Sequence, residues 1–96
     1  MIEVKRLSDG DSLTFEVIIS EGKSETRHDV TITQATYERL TGSKYAPERC
    51  VEAAIQFLLD REPKESILGH FDLTLISRYF PDFEENLPHY LVQSDL

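Results

Sequence analysis

Tryptophan is missing from this 96-residue chain, and cysteine occurs once, at Cys50. A single cysteine cannot build an internal disulfide framework and fits a reducing compartment, so a cytoplasmic protein is expected. Histidine is scarce as well. His28, His70 and His89 show none of the short spacings, to one another or to Cys50, that bring metal ligands together on one element. No metal and no cofactor are expected. The four glycines fall at turns or helix ends, which leaves no loop to cradle a phosphate. No apolar run approaches the ~20 residues that span a bilayer, and MIEVKRLSDG lacks the apolar stretch of a secretory signal.

Positive charge is the last shortage. Ten Lys and Arg stand against eighteen Asp and Glu, for a net charge of −8, and the deficit is concentrated in residues 46–96. Most non-specific affinity for nucleic acid comes from cations at phosphates, so neither nucleic acid nor membrane is an expected partner. An acidic surface chiefly keeps a protein soluble, and it can also steer a basic one toward it.

The composition, 40% apolar, suits a globular chain, and the length fits one domain over 1–96. Its first third has the period of strands. In SLTFEVIIS, Leu13, Phe15, Val17 and Ile19 alternate with Thr14, Glu16, Ile18 and Ser20; Ile2 and Val4 alternate with Glu3 and Lys5. Asp9-Gly10 signals a two-residue hairpin, which would set Val4 against Phe15 and Ile2 against Val17 on one face. Gly22 marks a second reversal with two candidate registers. A loop at Gly22-Lys23 sets Val30 against Phe15 and Ile32 against Leu13; a loop at Glu21-Gly22 sets Arg27 against Glu16. Either keeps Thr26, His28, Val30 and Ile32 on the core side. The other face, with Glu3, Lys5, Glu16, Glu25, Arg27 and Asp29, is a solvated one interrupted by Ile18.

From Thr33 the period turns helical. Thr33 can cap TQATYERL and Gly42 can end it. Pro47 opens PERCVEAAIQFLLDRE, whose stripe of Val51, Ala54, Ile55 and Leu58, widened by Cys50, Phe57 and Leu59, would cover the sheet. Pro63 opens PKESIL. Asp72 can cap LTLISRYF, with Phe71 stapled to Ile76 and with Leu73, Ile76 and Phe80 buried. The expected fold is therefore α+β: a three-stranded antiparallel meander (about 1–7, 12–20 and 24–32) followed by three to four helices (about 33–41, 47–61, 63–68 and 72–80) on one face. Residues 84–96 are read as a loosely ordered tail, since Pro88 interrupts them. Within PDFEENLPHYLVQSDL (81–96), Phe83, Leu87, Tyr90, Leu91 and Val92 either pack back or serve a partner. The final Ser-Asp-Leu matches a weak pattern for carboxylate capture in a groove.

REPKESIL (61–68) followed by FDLTLISRYFPDF (71–83) resembles a block of short, uncharacterised bacterial proteins with an acidic-Pro-Lys-Glu-Ser helix, an FDL cap and a RYFP ending. The resemblance implies a bacterial, cytoplasmic protein. It carries no chemistry, so no catalytic residue is transferred from it.

Two functional readings compete. Ser66, His70 and Asp72 are the residue types of nucleophilic catalysis, but Gly69 stands between the first two and no nucleophile elbow surrounds Ser66. Asp72 is equally a helix cap. His28, facing the core, is either a hydrogen-bonded structural histidine or a titrating group. Cys50 is either a small buried apolar residue or a thiol activated near Arg49. Against the enzyme stands a non-enzymatic interaction or regulatory module, binding a protein partner or a second copy. Arg78, Tyr79, Phe83 and Tyr90 are its candidate contacts, because aromatics and arginine dominate interface energies.

Overall fold

The computed structural model describes residues 1–93, with Gln93 through its backbone alone. Ile2–Ser8 (β1), Ser12–Glu21 (β2) and Ser24–Thr33 (β3) form the expected antiparallel meander. A short strand, His70–Asp72 (β4), adds to β3 in parallel, so the sheet order is β1-β2-β3-β4. The helices are Gln34–Thr41 (α1), Pro47–Leu59 (α2), Ile76–Tyr79 (α3) and Phe83–Gln93 (α4). The chain is α+β, with one strand more than its sequence suggests.

Leu13, Phe15, Val17 and Ile19 of β2 and His28, Val30 and Ile32 of β3 are all buried on one face. Against them α2 sets Cys50, Val51, Ala54, Ile55, Phe57 and Leu58 in one continuous core. The caps at either end of α1 are as expected: Thr33 accepts a hydrogen bond from the Thr36 N–H, and Gly42 takes φ 62°, where a Cβ would be strained. Pro47 occupies the first turn of α2.

Of the two registers open for β2 and β3, the apolar one forms. Phe15 faces Val30 and Leu13 faces Ile32, with Gly22 at φ 59° in the turn. Arg27 sits opposite Ile18 and still reaches Glu16 at 3.8 Å. The first hairpin departs from expectation by two residues. Val4 faces Val17 and Ile2 faces Ile19, and the register shifts between Arg6 and Ser8. A shift of two leaves every side chain on its own face, so the hydrophobic pattern could not choose between them. The turn decided it: Gly10 has φ 131° while Asp9 has no positive φ, so the tight turn that needs both does not form. The longer loop lets Asp9 accept a hydrogen bond from Arg6 at 2.8 Å.

Arg6 joins the sheet margin to α2 through a two-pronged contact, Nε to Glu48 Oε2 at 2.8 Å and Nη2 to Glu48 Oε1 at 2.6 Å. The guanidinium holds the Glu48 carboxyl below its ordinary 4.5, chiefly through these hydrogen bonds. A carboxyl lowered on folding stabilises the fold above its unfolded pKa, and that contribution disappears as pH falls through the folded value. Glu48→Gln should therefore destabilise at neutral pH by at most about 1 kcal/mol, the range for a partly exposed pair. Urea titrations of the two proteins should converge as pH drops below 4.5. A difference that persists in acid would place the effect elsewhere.

Two helical expectations change. Residues 63–68 form only a 3₁₀ turn, Lys64–Ser66, and residues 72–80 divide into a strand residue, a 3₁₀ turn Leu73–Leu75 and then α3. Asp72 is still the cap, accepting from the Thr74 N–H at 3.0 Å, but it also ends β4. Phe71 is buried opposite Val30 in the sheet.

Of the two readings of the tail, packing back is the one the described residues take, and the break expected at Pro88 is absent. Residues 83–93 are helical straight through Pro88, and Phe83, Leu87 and Leu91 are buried against the core. An interior proline costs about 3 kcal/mol. Burying three large apolar side chains contributes about 1.5–3 kcal/mol each, and the burial wins. Arg49 on α2 fixes the far end of α4 by donating to the carbonyls of Tyr90 at 2.5 Å and Leu91 at 3.3 Å. The Ser-Asp-Leu pattern, at 94–96, lies outside the described residues.

Candidate functional site

Between the end of α2 and the segment 64–80 lies a pocket of about 340 Å³. Leu58, Ile67, Phe71 and Ile76 form its buried floor, with half-buried Leu75 and Phe80 beside them. Leu68 and Tyr79 stand at its rim, 49% and 66% exposed. Glu62, Ser66 and the Tyr79 hydroxyl bring its polar side-chain groups.

Local structure explains the opening. Pro63 starts the 3₁₀ turn in extended geometry, and Ile67 leaves it extended, so Ile67 points inward and Leu68 outward. The turn is held by Lys64, 4% exposed, whose Nζ donates to Glu65 at 2.5 Å and lies 3.6 Å from Glu21. The hydrogen bond to Glu65 raises the Lys64 pKa and lowers that of Glu65. On the far side α3 is a single turn, and Phe80 leaves it with φ −130°. Phe80 therefore packs edge-on to Phe57 at 5.9 Å between ring centres while remaining part of the pocket wall. That is why it is half-buried where the helical stripe predicted full burial.

Of the four candidate contacts, only Tyr79 lies on this pocket. Arg78 is exposed next to it and does not line it. Phe83, open between a partner contact and a side chain that packs back, takes the second course: it is 1% exposed and edge-on to Phe57 at 5.0 Å. Tyr90 is half-buried on the same ring, and its hydroxyl donates to Asp60. Both belong to the α2–α4 interface. Glu62, Ile67, Leu68 and Leu75 are the pocket residues that sequence reasoning passed over.

The nucleophilic constellation does not assemble. Both Asp72 oxygens are occupied, Oδ1 by Thr74 and Oδ2 by the Thr31 hydroxyl at 3.0 Å. His70 pairs with Asp29 on β3, and no hydrogen bond joins it to Ser66 or Asp72 among the described residues. His28 is buried between Leu68 O, 2.7 Å from Nδ1, and Thr26 Oγ1, 2.8 Å from Nε2. A carbonyl only accepts, so Nδ1 carries the proton and Nε2 can accept from the threonine hydroxyl. The ring thus ties the strand to the segment bearing Leu68. Burial pushes the Cys50 thiol up to about 12, which leaves it a small apolar core residue. Among the described residues no group of three or more His, Cys, Asp or Glu is placed to hold a metal ion, and no helix is long and apolar enough to cross a membrane.

Comparison with protein-family models, with curated proteins and with solved structures finds no match to this chain.

Proposed function

We propose that this chain is a non-enzymatic protein-interaction module whose 340 Å³ pocket receives an apolar side chain of a partner protein. The observation that carries this reading is the pairing of exposed Leu68 and Tyr79 over an otherwise buried apolar floor. Exposed apolar surface is costly to keep unless it binds something, and tyrosine supplies a large, rigid contact at little entropic cost. Charge defines the partner further. Glu62, the one ionic group in the lining, has no ion pair among the described residues. With a net charge of −8 behind it, the pocket fits an apolar residue carried beside a lysine or arginine. The resemblance of residues 61–83 to short bacterial proteins and the single buried thiol support a bacterial cytoplasmic setting, with neither nucleic acid nor membrane as partner. Of the enzyme reading's residues only Ser66 lines the pocket, and no base is bonded to it among the described residues.

Selection of a random peptide library on the wild-type protein tests this. The selected sequences should share an aromatic or large aliphatic residue next to Lys or Arg. They should lose at least about tenfold in affinity, 1.4 kcal/mol, for Leu68→Asp/Tyr79→Asp. Peptides without an apolar anchor, equal binding to the double variant, or an empty selection would each refute the reading.

A further inference from the structure

β1 is a margin of the sheet, and its hydrogen-bonding pattern can be followed residue by residue. Met1 and Ser20 exchange both backbone bonds, the Met1 nitrogen donating at 2.6 Å and the Ser20 N–H at 2.8 Å. Bonded and non-bonded pairs alternate along an antiparallel ladder. Glu3 with Ile18 and Lys5 with Glu16 are therefore the next bonded pairs, while Ile2, Val4 and Arg6 turn their N–H and C=O groups away from β2. Among the described residues no turn, loop or side-chain bond takes up those groups. An unpaired edge without proline is a template for another strand.

We propose that a second copy of this chain occupies that edge, the two β1 strands pairing antiparallel about a two-fold axis at Val4 and joining two four-stranded sheets into one. The charge pattern selects this register. With the axis at Val4, Ile2 faces the partner's Arg6, and Glu3 faces the partner's Lys5, twice by symmetry. All three outward residues exchange backbone bonds, and the Glu–Lys pairs fall at non-bonded positions, where side chains approach most closely. Sliding two residues either way retains the backbone bonds but sets Glu3 against Glu3 or Lys5 against Lys5. A slide of one loses the bonds.

The inner side of the edge is suited to the same contact. Ile2 and Val4 are half-buried and border a shallow hollow of about 320 Å³, shared with Ala46, Glu48 and Arg49 of α2 and its approach. The partner's Val4 and Ile2 would close it. The acidic groups there bring no uncompensated repulsion, since Glu48 is paired with Arg6 and Glu52 with Arg49 at 2.8 Å.

Sedimentation equilibrium on the full chain and two charge variants tests the proposal. The wild type should show a monomer–dimer equilibrium. Glu3→Lys alone and Lys5→Glu alone each create two like-charge pairs and should weaken association roughly tenfold or more. An equimolar mixture of the two should associate again, because each strand then presents only one sign to the other. Far-ultraviolet circular dichroism checks that each variant is folded. Lys5→Ser, which removes the attraction without adding repulsion, replaces Lys5→Glu should the latter unfold; it should weaken association as well. Leu68→Asp/Tyr79→Asp should leave the dimer intact, which separates this edge from the pocket. A wild type monomeric up to about 1 mM, a dimer indifferent to the charge changes, or a mixture that stays monomeric would overturn it.

Discussion

Replacing Phe57 with alanine should lower unfolding stability by about 3–5 kcal/mol, in the upper range for a single core truncation. Phe57 is fully buried on α2, and three other aromatic rings converge on it edge-on: Phe83 at 5.0 Å, Tyr90 at 5.8 Å and Phe80 at 5.9 Å. Arg61, one helical turn later, lies with its guanidinium 3.6 Å from the ring centre and donates to the Phe57 carbonyl at 3.1 Å. Truncation thus removes buried area, three edge-to-face contacts and a cation–π contact together. It also leaves a cavity that rings held by α4 and by the chain after α3 cannot both move to fill. Small domains have only about 5–15 kcal/mol in all, so the variant should be close to unfolding. Urea denaturation followed by circular dichroism measures it. A loss below about 1.5 kcal/mol, the cost of a tolerated swap, would show that the cluster is not the joint between α2 and α4.

That joint marks the boundary of what could be read from the sequence. β2, β3 and α2 were legible because each carries a long, clean period: alternation at Leu13, Phe15, Val17 and Ile19, and a stripe from Val51 to Leu58. The caps at Thr33, Gly42, Pro47 and Asp72 were legible because each depends on a few adjacent residues. β4 was not, since three residues carry no period and His70–Asp72 is specified from across the sheet, by Val30 opposite Phe71 and by the Asp29 N–H, which donates to the Gly69 carbonyl just before β4. The place of Phe83 was not legible for a related reason. Pro88 reads locally as a breaker, and only the distant Phe57, Arg49 and core contacts show why the helix continues past it. The pocket is the extreme case. Its floor comes from α2, the extended run at 67–68, β4 and α3, and no one of those segments signals a cavity. Tyr79 could be suspected because it flanks a buried stripe. Leu68, read as the end of a helix, could not.

Ile76→Ala and Arg78→Ala, two residues apart, should have very different consequences. Ile76 is 3% exposed and forms part of the pocket floor together with Leu58 and Phe71. Its truncation should cost about 2–5 kcal/mol, transfer and cavity together. The lower half of that range is favoured, because one side of the new space opens into an existing pocket and water can enter it. Arg78 is exposed and shares no ion pair among the described residues. Its replacement should stay within roughly ±0.5 kcal/mol, as for surface changes remote from caps and networks. Urea midpoints of both variants, with Ile76→Val as the conservative comparison, decide the matter. Ile76→Val should lose only about 0.5–1.5 kcal/mol. The three values together separate a packing role for α3 from a binding role. If Ile76→Ala proved harmless while peptide binding failed, α3 would be a ligand-bearing turn instead of a structural one. Its single turn would then need the partner to order it, and exchange of the Tyr79 and Phe80 amides should slow on adding a selected peptide. With Ile76 holding the floor, those amides should be protected to the same degree with and without peptide, because the pocket is already formed.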